Sequence, residues 1–356
     1  MKSVYVHIPF CKQKCLYCDF NSFDNKEDLI EKYFGALIKE IKLYKIDNEL
    51  ETIYIGGGTP SFPNEKYIEE LLSNLPKAKE ITLELNPGTI TESKLLKYKE
   101  IGINRLSIGL QAIQDSILKE IGRIHTFKEF DEVFSLARKV GFDNINVDLM
   151  HGLPNQKLTD FKESVDYLVK LNPEHISCYS LILHDNIFKN LPEDEEEREM
   201  YYYAKNELTK NGYEHYEISN FAKAGKKSNH NLVYWNQEEY IGVGAGASSY
   251  MDNKRYTNIG GIEEYIERIN NNESVNIIEE EQTKEDKLKE YIILQLRLIK
   301  GLNIEKTNKK FNIDFLSLYE KQIKKLKDLK LIKVEESIYL TDKGLDLANI
   351  VWEEFV

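Results

Sequence analysis

Three cysteines, Cys11, Cys15 and Cys18, lie close together near the amino terminus, and the remaining cysteine is Cys178. Three thiolates on one short loop can converge on a metal centre, and thiolate ligands select zinc or iron–sulfur clusters. A zinc site needs a fourth ligand, which His7 could supply. Three cysteines can instead hold three irons of a four-iron cluster and leave the fourth iron open to an outside ligand. Three unconnected buried thiols are a further alternative, which the polar, lysine-flanked loop disfavours.

The segments around this loop predict a β/α barrel. Short β-branched runs alternate with longer segments in which apolar residues recur at helical spacing. The predicted strands are residues 4–8, 52–55, 81–85, 105–108, 145–149 and 175–181, and the predicted helices are residues 26–45, 65–74, 91–101, 126–140 and 159–171. Strand–helix units in this order indicate an α/β fold with a parallel β/α barrel or an open part of one, such as a partial (β/α)6 barrel. In such a barrel, functional residues cluster at the carboxyl ends of the strands.

Candidate ligand-binding residues do follow the predicted strands. The second strand leads into residues 56–60, Gly-Gly-Gly-Thr-Pro, where missing side chains would let backbone amides approach a ligand. Glu84 and Asp148 place carboxylates in otherwise apolar strands, where an unpaired charge is costly. A ligand amine or hydroxyl would be a natural partner for each carboxylate. The alternative is a purely structural ion pair with Arg105 or Arg123.

The cysteine spacing, with an aromatic residue before the last cysteine, resembles that of radical S-adenosylmethionine (SAM) proteins. Motifs at residues 5–11, 56–60, 106–111, 122–125 and 148–154 are also similar to the oxygen-independent coproporphyrinogen III oxidase family, and this likeness covers nearly the whole chain. The resemblance implies a [4Fe-4S] cluster on Cys11, Cys15 and Cys18, an electron donor for that cluster, and one bound SAM. It implies SAM contacts at Tyr5, Gly57, Gly58, Thr59, Glu84, Gln111, Arg123 and Asp148.

Two departures favour the HemW-type heme chaperone branch of this family over a porphyrinogen oxidase. Phe20 stands where the oxidases carry a further cysteine, and only ten residues precede the cysteine loop. Residues 18–22 and residues 230–235, His-Asn-Leu-Val-Tyr-Trp, are similar to segments of the chaperone branch. The resemblance implies heme as ligand and heme-accepting proteins, such as respiratory cytochromes or acceptors at the membrane surface, as partners. Oxidative decarboxylation of coproporphyrinogen III is the alternative, so an enzymatic activity is left open.

His230 is the candidate heme ligand, because an imidazole beside tyrosine and tryptophan could ligate iron while the aromatic rings cover the porphyrin. The alternative is a histidine that only forms hydrogen bonds in a packed corner. That second interpretation is the expectation for His175 and His184. Cys178 is predicted to be a small core hydrophobe.

Composition indicates the cellular compartment of the protein and the kinds of partner that it binds. The chain has 356 residues, is 41% hydrophobic and carries a net charge of −12. It contains no apolar run of about 18 residues that could span a bilayer, and three cysteines gathered in one loop suit a reducing compartment. These features predict a cytoplasmic protein. The acidic balance disfavours a nucleic-acid partner.

Three regions are expected along the chain: a radical SAM barrel core over residues 1–190, a family-specific extension packing on the barrel over 191–275, and a small C-terminal domain over 285–356. The polar, charged residues 270–284 are predicted to form a linker. The acidic run at 193–197 is predicted to be a solvated helix start without function. Helical segments followed by a strand pair and a last helix resemble a winged-helix domain, for which we expect a lid or docking role rather than DNA binding.

Overall fold

The computed structural model describes residues 2–182 and 187–356, so the expectation for His184 lies outside the described residues. Within these ranges the strands are β1 Ser3–Ile8, β2 Glu49–Gly57, β3 Lys77–Leu85, β4 Arg105–Gln111, β5 Ile145–His151, β6 His175–Ser180, β7 Glu214–Glu217, β8 Asn220–Ala222, β9 Ile241–Val243, β10 Ser248–Met251, β11 Lys254–Asn258, β12 Asn276–Glu281, β13 Leu302–Asn303, β14 Ile332–Val334 and β15 Ser337–Leu340.

The helices are α1 Ile30–Ile41, α2 Glu65–Ser73, α3 Glu92–Glu100, α4 Asp115–Glu120, α5 Phe127–Val140, α6 Leu158–Leu171, α7 Asp194–Lys210, α8 Asn229–Trp235, α9 Ile262–Asn270, α10 Lys284–Arg297, α11 Ile304–Phe311, α12 Phe315–Leu318, α13 Glu320–Asp328, α14 Asp342–Asp346 and α15 Ala348–Glu353. Local sequence sets several of these boundaries. Thr126 and Glu129 form a capping box at the start of α5, and Gly141 ends that helix in the left-handed conformation.

Strands β1 to β6 are parallel and lie side by side in sequence order, which confirms the predicted α/β barrel sheet. In the described parts of the chain β1 and β6 do not pair with each other, so the barrel is open. Strand β9 joins the sheet parallel to β1, and β8 and β7 continue it antiparallel beyond β6. The region expected as an extension therefore adds strands to both edges of the same sheet.

Alternation along the strands separates a helix-facing core from the inside of the barrel. In β4, Leu106, Ile108 and Leu110 belong to the main hydrophobic core under the helices. The intervening residues, Arg105, Ser107, Gly109 and Gln111, line an internal cavity. Cys178 of β6 is 1% exposed and lies in the same core, as predicted.

The start of α7 differs from its prediction. Glu196 accepts a hydrogen bond from the backbone N–H of Leu158 at 2.9 Å, and Glu197 accepts one from the Ser180 hydroxyl. The pKa of Glu197 is lowered chiefly by its side-chain interaction with nearby His151. Part of the acidic run thus fixes α7 to the amino end of α6 and to the end of β6, and only the first acidic residues are exposed.

The C-terminal residues form a winged-helix-like domain with its own core, in which α10 to α13 precede the β14–β15 hairpin and β13 pairs with β15. The predicted linker is not simply a loop, since β12 pairs with β11 in a small antiparallel sheet. Most residues of β12 are exposed. Its sequence does not alternate between apolar and polar residues, which is the pattern that indicates a half-buried strand. No helix among the described residues has the length and apolar character that crossing a bilayer requires.

Candidate functional site

A cavity of about 380 Å³ opens at the carboxyl ends of the parallel strands and continues into the barrel. Ten of the predicted site residues line it: Cys11, Cys15, Cys18, Gly57, Gly58, Thr59, Glu84, Gln111, Arg123 and Asp148. Tyr5 and His230 do not. The fold therefore gathers residues from β2 to β5 and from the cysteine loop around a single volume.

The cysteine loop is tied to the barrel on both sides. The Cys11 N–H donates to the Phe23 carbonyl at 2.9 Å, and the Leu16 N–H donates to the Ile121 carbonyl at 3.1 Å. Each sulfur has a polar neighbour: Thr59 Oγ1 at 3.5 Å from Cys11 Sγ, Arg123 Nη1 at 3.8 Å from Cys15 Sγ, and Ser22 Oγ at 3.8 Å from Cys18 Sγ. Burial raises the pKa of the Cys11 and Cys18 thiols, so metal binding there would displace protons.

The surroundings of His7 argue against a zinc site. His7 Nε2 lies 2.7 Å from the Asn21 carbonyl, and Nδ1 lies 2.9 Å from the Tyr5 hydroxyl. Burial lowers the pKa of His7, and a neutral ring can donate from Nε2 and accept at Nδ1. Both nitrogens are thus in use. In residues 2–182 and 187–356, no three His, Cys, Asp or Glu side chains are grouped to hold one metal ion, and Cys11, Cys15 and Cys18 line the same cavity.

The glycine segment does not present free amides, contrary to the expectation. The Gly57 N–H donates to Glu84 Oε2 at 3.2 Å, the Gly58 N–H to the Ile8 carbonyl at 2.8 Å, and the Thr59 N–H to the Phe10 carbonyl at 2.8 Å. Glycine is required at position 57 because φ is +113° and a Cβ would lie 2.6 Å from the His7 ring. The segment borders the cavity, but its amides hold the ends of β1 and β2 together.

Glu84 and Asp148 bring carboxylates into the cavity without a structural ion pair. Glu84 accepts from the Tyr54 hydroxyl at 2.7 Å, and Asp148 accepts from Asn146 Nδ2 at 2.7 Å. Throughout the part of the chain that the structure describes, neither forms a salt bridge with Arg105 or Arg123. Burial is the main cause that raises the pKa of both groups, that of Glu84 to about 7. Each carboxylate therefore keeps capacity for a ligand.

Arg123 and Gln111 shape the opposite wall. Arg123 donates from Nη2 to the Gly109 carbonyl at 2.9 Å and from Nε to His125 Nδ1 at 3.3 Å. Burial, and next Arg123, lower the pKa of His125 to about 3, so this imidazole is neutral and can accept. Gln111 ends β4 at a register shift with φ +71°, and its Oε1 accepts from Tyr179 at 3.2 Å. A left-handed backbone at a non-glycine residue costs of order 1–3 kcal/mol and recurs at ligand sites.

Tyr5, predicted to touch SAM, lines a neighbouring cavity of about 290 Å³ instead. Phe20 borders both cavities. The Tyr5 ring stacks on that of Tyr54, with ring centroids 6.2 Å apart. Tyr5 is thus linked to the main cavity through its ring contact with Tyr54 and through Phe20, which lines both cavities.

The structure argues against His230 as a heme ligand and supports the packed-corner alternative. His230 is 1% exposed, with Nδ1 2.8 Å from Thr52 Oγ1 and Nε2 2.7 Å from the Tyr234 hydroxyl. Its ring stacks on Tyr54 with centroids 5.2 Å apart. Burial lowers the pKa of His230 to about 3. Neither nitrogen is free for iron. His175 is likewise buried, with Asn146 and Tyr216 on its nitrogens, as predicted.

Sequence reasoning missed one wall of the cavity. It is formed by five residues that were not predicted as site residues, although two of them lie in the motif at residues 230–235: Ser219, Asn220, Asn231, Trp235 and Arg297. Arg297 of α10 lies over the Trp235 ring at 4.4 Å and pairs with buried Glu217 at 2.8 Å. No local spacing could reveal this wall, because Arg297 belongs to the C-terminal domain. The sequence interpretation treats Arg105 only as an ion-pair partner. A cationic residue at the start of an otherwise apolar strand is nevertheless a sequence feature that indicates a functional role.

Comparison with known proteins adds independent findings. Residues 5–168 match the model of the Radical SAM superfamily, and residues 282–347 match that of the HemN C-terminal domain. The chain is 38% identical to a Lactococcus lactis protein named Heme chaperone HemW, over 99% of this chain and 97% of the relative. It is also 38% identical to the Bacillus subtilis protein of that name, over 100% and 99% of the two chains.

The comparison of structures agrees. The structure of coproporphyrinogen III oxidase (HemN) from Escherichia coli superposes with a TM-score of 0.87 and covers 99% of this chain and 89% of that one, at 23% identity. At this identity the likeness establishes the fold of the two chains.

Proposed function

This chain belongs to the HemW-type branch of the oxygen-independent coproporphyrinogen III oxidase family of radical SAM proteins, and from that premise we propose that it is a heme chaperone. It would bind heme and transfer it to acceptor proteins, with a [4Fe-4S] cluster and SAM as cofactors. The acceptors would include respiratory cytochromes, and some acceptors would lie at the membrane surface. The concentration of cysteines in one loop supports a reducing, cytoplasmic setting.

Cys11, Cys15 and Cys18 would hold the cluster, and their shared volume and hydrogen-bond donors fit that role. When bound, cluster and SAM together supply one-electron cleavage chemistry, fed by an external electron donor. Arg123 would stabilise negative charge on Cys15. Glu84, Gln111 and Asp148 would orient polar groups of SAM at the ends of β3, β4 and β5.

The observation that carries the heme proposal is a group of exposed apolar side chains at and beside the polar cavity. Phe20 lines the cavity and is 64% exposed, Leu16 lies on the same loop between the lining residues Cys15 and Tyr17 and is 58% exposed, and Ile182 just after β6 is 68% exposed. Tyr17 and Leu181, the neighbours of Leu16 and Ile182, pack against one small cluster, so the two segments lie close together. Exposed apolar residues around a cavity mouth suit a flat hydrophobic ligand that is bound and then handed on.

None of the described histidines is proposed to ligate the heme iron. His7, His125, His151, His175, His215 and His230 are each at most 8% exposed. Contacts to the porphyrin face and its carboxylates would therefore supply most of the affinity. Such binding suits a chaperone, because a weakly ligated heme can leave.

The test is anaerobic reconstitution followed by heme titration, read by absorbance. We expect about three to four irons per chain, a change in the cluster spectrum on adding SAM, and heme binding near one per chain. His230→Ala should leave heme affinity of the folded protein within about twofold. Absence of heme binding, with or without the cluster, would remove the chaperone proposal.

The competing activity is tested separately. Reductant, SAM and coproporphyrinogen III are incubated with the reconstituted protein, and protoporphyrinogen formation is followed. We expect none above the level of a Cys15→Ala variant, which lacks a cluster ligand. Sustained turnover would replace the chaperone proposal with the oxidase.

A further inference from the structure

Arg105, the first residue of β4, is a buried cation without a partner. The residue is 2% exposed, and its Nε has no hydrogen-bond partner. Across residues 2–182 and 187–356, no group forms a hydrogen bond or salt bridge with its guanidinium. Burying an unpaired charge costs several kcal/mol. A side chain of this kind is retained where something else supplies the negative charge.

Arg105 lines the main cavity together with Ser107, Asn146 and Ser177, which are neutral hydrogen-bonding side chains from three adjacent strands. On the neighbouring strand, Thr82 is directly paired with Arg105, and its hydroxyl has no hydrogen-bond partner among the described residues. Two residues with unsatisfied polar atoms therefore lie at the same register level on adjacent strands.

The nearby carboxylates do not neutralise this cation by contact. Arg105 lowers the pKa of Glu84 and of Asp148, but burial outweighs it and raises both. Their oxygens are hydrogen-bonded to Tyr54, Gly57, Ser107 and Asn146 instead. The inside of the barrel thus has a positive group that no carboxylate contacts, which favours an anion.

The position of Arg105 separates it from the cysteine end of the cavity. It lies four residues before Gly109 along β4, which corresponds to about 13 Å at the usual rise of a strand. The cysteine loop and the candidate SAM residues lie at or near the carboxyl ends of the strands. A ligand group at Arg105 is therefore one that reaches deep into the barrel.

We propose that Arg105 anchors a carboxylate-binding subsite on the floor of the cavity, with Ser107, Asn146 and Ser177 as its neutral neighbours. The identity of the ligand rests on the proposed function: a propionate of heme is the expected group. The carboxylate of SAM is the other source of the same chemistry. The SAM carboxylate is expected at the cysteine end of the cavity, so it is the less suitable ligand for Arg105.

The test compares zinc protoporphyrin IX with its dimethyl ester, by fluorescence titration, on wild type and Arg105→Met. We expect wild type to bind the free acid at least tenfold more tightly than the ester. The variant should lose this discrimination while keeping its affinity for the ester. Arg138→Lys is the matched control, since Arg138 pairs with Glu174 outside the cavity.

Two further measurements decide the outcome. Removal of an unpaired buried charge should leave the unfolding midpoint of the ligand-free protein unchanged or raise it, whereas a structural arginine would lower it. SAM affinity of the reconstituted protein is measured on the same variants. A loss there of at least tenfold, with porphyrin discrimination intact, assigns the subsite to the SAM carboxylate.

Arg105 is not a carboxylate site if the variant keeps both the acid-over-ester preference and the SAM affinity of wild type. Failure of wild type to bind either porphyrin would count against the heme proposal instead. The SAM measurement would then still decide the role of Arg105.

Discussion

At the scale of single residues, the inside of the barrel is built from polar side chains whose hydrogen bonds are mostly satisfied by one another. Glu84 is an example, since its two carboxylate oxygens accept from Tyr54 and from the Gly57 N–H. Burial nevertheless raises its pKa to about 7, against an ordinary value of 4.5. The acid is held in a state between charged and neutral near physiological pH, which makes its protonation sensitive to any charged ligand.

This shift predicts how stability depends on pH. Because the pKa of Glu84 is higher in the folded than in the unfolded chain, folding takes up a proton between about pH 4.5 and 7. Its contribution is most favourable below the unfolded pKa and is lost as pH rises through about 7. Between pH 5 and pH 8, the unfolding free energy of wild type should therefore fall by on the order of 1–3 kcal/mol more than that of Glu84→Gln.

Urea denaturation of the ligand-free protein at several pH values measures this difference. Parallel curves of unfolding free energy against pH for the two proteins would show that Glu84 is not shifted. Glu92→Gln is a suitable control, because Glu92 is an exposed residue in the first turn of α3.

At the scale of elements, the cysteine loop is positioned by a glycine-rich segment that comes more than two hundred residues later. Asn21 Nδ2 donates to the carbonyls of Ala245 and Gly260, each at 3.0 Å. Gly246 lies directly against this side chain. The Cys-Asp-Phe-Asn-Ser motif thus has a physical role, because its asparagine fastens the loop to the segment between β9 and β10.

This packing predicts a large effect of a small substitution. Gly246 has φ +78°, and a Cβ there would lie 2.4 Å from Asn21 Nδ2. Gly212 has φ +86° but no atom within 4 Å of such a Cβ. Gly212→Ala should cost about 1–2 kcal/mol from backbone strain alone. Gly246→Ala should cost roughly 2 kcal/mol more, since the loop must also move.

Urea unfolding gives both values, and the iron content after anaerobic reconstitution reports on the loop. We expect Gly246→Ala to retain less iron than Gly212→Ala. Equal stability and equal iron content in the two variants would mean that the Asn21 contact does not position the cysteine loop.

At the scale of the whole molecule, the C-terminal domain has a separate core but is joined to the rest of the chain by polar contacts of α10. Glu290 of α10 accepts from Arg255 Nε at 2.7 Å, from Gln237 at 2.8 Å and from Gln282 at 3.2 Å. Gln295 of the same helix donates to the Trp235 carbonyl at 2.8 Å. Arg297 also reaches the cavity from this helix, so movement of the domain would change one wall of the site.

Because one carboxylate joins three segments, Glu290→Ala should uncouple the two cores. We expect a loss of roughly 1–3 kcal/mol, as the three partners of a half-buried acceptor are left unpaired. Calorimetry should show the C-terminal domain unfolding as a separate, earlier transition. Glu285→Ala lies on the same helix, pairs with Lys289 and has a side chain 72% exposed, so it should change stability by less than about 0.5 kcal/mol. A single unchanged transition in Glu290→Ala would contradict the coupling.

The alternation of strands and helices, the cysteine triad and most of the predicted site residues that line the cavity can be read from local sequence. These features depend on local periodicity and on the rule that parallel strands end at one face. Their prediction needs no knowledge of distant contacts. The parallel order of β1 to β6 followed for the same reason.

Which polar groups are free and which are already hydrogen-bonded becomes visible in the folded structure alone. His230 is satisfied by Thr52, 178 residues away, and the amides of Gly57 to Thr59 by β1, its following residues and Glu84. Arg105 is a possible ion-pair partner for acids by sequence, but its Nε has no hydrogen-bond partner in the described part of the chain. Whether a buried group is paired depends on side chains brought together from distant parts of the chain, and no local pattern contains that information.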